Sequence, residues 1–114
     1  MSQRKKSLVD AVAVLASDPA RQLEHLCELG LPDGIDELAL EYDAIAAAAG
    51  DMLRLGELNK NQYDWIQKLD DLLSRMSSKS GSRLWTAEAI SSAPEWKEVR
   101  GTAKECLRRL RLSQ

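Results

Sequence analysis

One spacing constrains this chain more than any other. Trp65, Ile66, Leu69, Leu72, Leu73 and Met76 fall at i, i+1, i+4, i+7, i+8 and i+11. Only a helix gathers those positions on one face, because a strand would send them alternately to both sides. Asn59 stands ahead of the run with Gln62 three residues on, the pattern in which two side chains cap each other's backbone. The same period recurs elsewhere. Leu8, Val12, Leu15 and Ala16 predict a first helix. Asp18 then caps a second with Pro19 at its first position, Leu23, Leu26 and Cys27 as its stripe, and Gly30 as a left-handed stop.

A third helix begins near Asp33 and Gly34 and carries Ile35, Leu38, Ala39, Tyr42, Ile45, Ala46, Ala49 and Leu53, with Gly50 the place for a break. Thr86 caps a brief helix through Ile90. Ser92 with Glu95 reads as a second capping box, opening a last helix along Trp96, Val99, Ala103, Cys106, Leu107 and Leu110. No strand alternation survives, so the fold class is all-α: a compact bundle of five or six helices in a single domain, 1–114. A chain of 114 residues buries about two-thirds of its unfolded surface, enough for an unaided core. Residues 1–6, with Arg4, Lys5 and Lys6, read as a frayed basic tail, and 77–83 as a flexible loop.

The chemical inventory points away from an enzyme. His25 is the single histidine, and Cys27, two residues along the same helix, faces about 200° away from it, so no dyad forms within that helix. Pairing of His25 with Cys106 stays open. A zinc site needs three or four Cys or His ligands, and the three available are scattered, so no metal site is expected. The glycines stand singly, without a phosphate loop. The neighbouring acids Asp36 and Glu37, Glu41 and Asp43, and Asp70 and Asp71 read as solvated helix faces.

No apolar run reaches the roughly 18 residues of a membrane span. Asp10 interrupts the apolar stretch near the start and Asp18-Pro19 follows it, which argues against a secretory leader. Cys27 and Cys106, each on an apolar stripe, read as free core thiols of a cytoplasmic protein, with a single disulfide as the alternative.

The net charge of −2 conceals two unlike parts. From Glu24 to Glu57 nine acids face one base, a local −8, so the remainder carries +6. On the third helix Asp33, Asp36, Glu37, Asp51, Glu41 and Asp43 gather opposite the apolar stripe, with Leu40 among them. A leucine ringed by carboxylates on an outward face is an anchor for a partner protein. The alternative is a central, Ala-rich helix with Leu40 in the core. Tyr42 lies nearer the apolar face, and Trp85 reads as a plug closing the bundle.

The last helix has its own stripe: Lys97, Arg100, Lys104, Arg108 and Arg111, at spacings of 3, 4, 4 and 3. Pairing with the acidic helix and a favourable dipole at the helix end account for such bases without any ligand. The near-zero total argues against a general nucleic-acid binder, yet this edge leaves open a small nucleic-acid-associated regulator.

Two stretches carry a resemblance. One is Leu40-Glu-Tyr-Asp43 leading through Leu55-Gly-Glu-Leu58 into Tyr63-Asp-Trp-Ile66 and Leu69-Asp-Asp-Leu-Leu73; the other is Leu84-Trp-Thr followed by Pro94-Glu-Trp-Lys-Glu-Val-Arg100. Together, across 38–110, they resemble small all-helical bacterial immunity proteins of toxin–immunity systems. The resemblance implies a cytosolic protein that binds and neutralises a cognate protein toxin, with no catalysis, no cofactor, no small-molecule substrate and no membrane. Asp33, Asp36, Glu37, Leu40, Glu41 and Asp43 are then the expected partner-binding residues, standing where a nuclease toxin would otherwise hold phosphates.

Overall fold

The structure, a computed structural model, describes residues 3–31, 34–79 and 81–112. Regular structure among them is helical throughout: α1 (Gln3–Ala16), α2 (Pro19–Glu28), α3 (Glu37–Ala46), α4 (Ala49–Arg54), α5 (Lys60–Lys79), a 3-10 turn (Gly81–Leu84), α6 (Ala87–Ser92) and α7 (Pro94–Arg111). α7 lies along both α1 and α5, and α1 in turn packs on α3. A radius of gyration of 13.7 Å is that of one packed body of this length.

The core runs between those helices. α1 supplies Leu8, Val12 and Leu15, α5 supplies Ile66 and Leu69, and α7 supplies Trp96, Val99, Ala103, Cys106 and Leu110. Trp96 is fully buried and its indole N–H donates to the Leu84 carbonyl at 2.6 Å, which satisfies the one polar atom of the largest core side chain. Trp85 sits edge-on to it, 5.5 Å between ring centres, and closes that end of the core.

Three helix starts are capped as the spacing requires. Asp18 accepts from the Arg21 amide at 2.9 Å, and Thr86 from the Ala89 amide at 3.0 Å. Asn59 and Gln62 cap each other, at 2.8 and 2.9 Å. The fourth expectation is overturned. Ser92 closes α6 by donating to the Glu88 carbonyl, and Ala93 stands at the start of α7 without a side-chain cap.

Other boundaries move as well. The third helix breaks at Ala47 and Ala48, three residues before Gly50, dividing it into α3 and α4. There the Ala48 amide turns to the Ile45 carbonyl, a tighter turn that re-aims the chain so that Ala49 and Met52 are buried. The division gives seven α-helical segments among the described residues. The tail expected at 1–6 is helical from Gln3, and Arg4 pairs with Glu57 at 2.8 Å, a tie from α1 to the turn after α4. The loop expected at 77–83 is largely structured: α5 continues to Lys79 and the 3-10 turn follows from Gly81.

The stripe of α2 is rotated from its apolar pattern. Gln22, fully buried, donates to the Val14 and Leu15 carbonyls at 3.3 and 3.0 Å. Both carbonyls end α1; Val14 also accepts from the Ser17 amide and hydroxyl, while Leu15 depends on Gln22, so a polar side chain serves the interior better than an apolar one. With Gln22 and Leu26 turned inward, Cys27 is exposed and Cys106 alone is a core thiol.

Candidate functional site

α3 is fixed from two sides. Tyr42, fully buried, donates its phenol to the Ile66 carbonyl of α5 at 2.6 Å. On the α2 side, His25 Nε2 meets Glu41 Oε1 at 2.8 Å, both half-buried. Leu38 and Tyr42 therefore face the core, and Leu40 points outward, 51% exposed. The outward alternative is the one realised.

Leu40 forms a crest between two clefts. One, of about 360 Å³, lies between α3 and α5 and is lined by Leu40, Tyr42, Asp43, Asp70 and Leu73. The other, of about 500 Å³, lies between α1, α2 and α3, and Asp10, Glu37 and Glu41 line it with Val14 and Ile45. Each cleft thus joins an apolar floor to carboxylates. Burial raises the Asp70 carboxyl above its ordinary range, and the charges of Asp43 and Asp71 raise it further. Among the described residues no cation pairs with Asp43 or Asp70.

Of the acids expected from sequence, Asp33 lies outside the described residues. Asp36 is exposed at the start of α3, Glu37 and Glu41 enter the second cleft, and Asp43 the first. Asp51 is carried away on α4, where Arg54 pairs with it. Two carboxylates join the face from other helices, Asp10 from α1 and Asp70 from α5. Nothing local in the sequence marks either, because the packing of distant helices brings them in.

The basic edge of α7 is divided. Lys97, Arg100 and Lys104 share a cleft of about 540 Å³ with Asp18 and Ser91, at the junction of α2, α6 and α7. Arg108 is turned instead to Glu105, which also receives Arg109; the hydrogen bonds from these two arginines hold the Glu105 carboxyl down to about 2. Arg111 is exposed at the end of α7, outside the shared cleft.

The remaining reactive groups stay apart. Burial pushes the Cys106 thiol up to about 12, which keeps it protonated, and His25 is engaged with Glu41. Among the described residues no three His, Cys, Asp or Glu side chains are grouped to hold a metal ion, and no helix is long and apolar enough to cross a membrane. No protein-family model, curated protein or solved structure matches the chain.

Proposed function

We propose that this chain is a non-catalytic binding protein that neutralises a basic protein toxin by covering its working surface with the face of α3. The observation that supports the reading is Leu40, standing exposed between two clefts with Asp43 and Asp70 on one side and Asp10 and Glu37 on the other. Burying such a leucine contributes on the order of 1.5–3 kcal/mol, and the carboxylates around it select a cationic surface and speed the encounter. Asp43 and Asp70 crowd each other in the free protein, so an arriving Lys or Arg gains what that repulsion costs. The resemblance of 38–110 to immunity proteins supplies the class of partner. The face is rigid, held by Tyr42 and by the His25–Glu41 pair, so little ordering is lost on binding.

The test is co-expression with basic nuclease-toxin domains, beginning with any that is found encoded beside this gene. Wild-type protein should restore growth, and Leu40→Asp combined with Asp43→Lys should abolish protection while its melting temperature stays within about 2 °C. Full protection by that double variant would overturn the reading. The acidic face is preferred over the basic edge because part of that edge, Arg108, is spent on Glu105 within α7.

A further inference from the structure

The three cations of the α7 cleft have no structural explanation as a set. Lys97, Arg100 and Lys104 repeat at three and four residues on one side of the helix, a spacing at which like charges repel. Lys97 stands in the N-terminal part of α7, where the helix dipole favours anions. Among the described residues no acid pairs with Lys97 or Lys104, although Arg108 and Arg109, further along, are both paired. Arg100 does have a structural role, donating one N–H to the Ile90 carbonyl at 2.7 Å near the end of α6. That bond fixes the guanidinium at the cleft and leaves its other donors unspent. Burial lowers the Arg100 pKa, with Asp18 acting against it. Asp18 is the one carboxylate of the lining, and its side chain caps α2.

We infer that the cleft between α2, α6 and α7 binds a compact oligophosphate through Lys97, Arg100 and Lys104. From Lys97 to Lys104 is about 10 Å along the helix axis, a span across which two long lysine side chains converge on a diphosphate held at Arg100 between them. No aromatic ring lines the cleft to stack a base, so the phosphates alone are read. The acidic stretch from Glu24 to Glu57 repels a long polyanion in any case.

The experiment is a titration of the isotopically labelled full chain with sodium pyrophosphate at low ionic strength, followed by amide NMR. Saturable shifts should centre on 97–104, with affinity weakened about tenfold by Lys97→Ala with Lys104→Ala and unchanged by Arg111→Ala. Both lysines are exposed, so an unchanged melting temperature establishes that the variant folds. ADP binding as tightly as pyrophosphate would agree with recognition of the diphosphate alone. Absence of saturable shifts, an equal loss from Arg111→Ala, or binding of duplex DNA or RNA with pyrophosphate silent would each overturn the inference. The proposal is independent of the α3 face, and its failure leaves that reading standing.

Discussion

The Tyr42 phenol donates to the Ile66 carbonyl at 2.6 Å, and this bond sets which side of α3 faces outward. Leu40 precedes Tyr42 by two residues, so it stands about 200° around the helix and faces outward whenever the phenol is docked. Tyr42→Phe keeps the ring in the core and removes the bond. It should cost about 1 kcal/mol, read as a lower urea midpoint at unchanged slope. An unaltered midpoint would remove Tyr42 from the account of how α3 is oriented.

Alkaline pH should unfold this protein earlier than a helical bundle without buried acids. Burial raises both Cys106, to about 12 from an ordinary 9.0, and Tyr42, well above its ordinary 10.0. A group with its folded pKa raised gives stability that is complete below the unfolded value and lost as pH climbs towards the folded one. Stability should therefore hold to about pH 9 and decline beyond it. Cys106→Ala should move the onset of the decline up towards 10, at the cost of a small cavity. An onset left at 9 in that variant would show that the thiol takes no part.

The all-α class was legible because stripes such as Trp65 to Met76 admit one period, and because three capping residues mark where helices start. The outward acids of α3 followed from the same period, but not their division, with Asp43 on one side of Leu40 and Glu37 and Glu41 on the other. Asp70 was not legible: its place beside Asp43 comes from the packing of α5 against α3, and α5 alone shows only an acidic pair on a helix surface. The exposed state of Cys27 was hidden too. Apolar periodicity assigns a core position to the most hydrophobic side chain, while α2 gives it to Gln22, which satisfies the end of α1. Sequence patterns register hydrophobicity, and they are blind to an unsatisfied carbonyl on another helix.

Asp70→Asn should separate stability from function. The carboxyl is raised by burial and by its acidic neighbours, so its charged form is disfavoured in the fold. Removing that charge should leave stability at neutral pH unchanged or raise it by up to about 0.5 kcal/mol, discounted for solvent screening. The same change should weaken binding to a basic partner. In the wild type that binding should fade as pH falls, starting above the usual carboxylate range, because Asp70 takes up its proton early. A variant both less stable and equally tight in binding would contradict the assignment of Asp70 to the partner face.

Gln22 provides the sharpest test of the interior. Its amide N–H groups satisfy Val14 and Leu15, while Oε1 is buried without a hydrogen-bond partner. Gln22→Leu strands the Leu15 carbonyl, Val14 keeping its bonds from Ser17, but also removes the orphaned oxygen, so it should cost about 1 kcal/mol. Gln22→Glu keeps the shape and sets a carboxylate against those carbonyls, for a loss of about 3 kcal/mol or more at neutral pH. Protonation restores one donor, and burial raises the folded pKa of such a carboxyl, so the Glu variant should regain stability as pH falls through the carboxylate range. Urea melts of the two variants across that range measure both effects. A Glu variant no worse than the Leu variant at neutral pH would show that water reaches the site and that Gln22 is not its sealed cap.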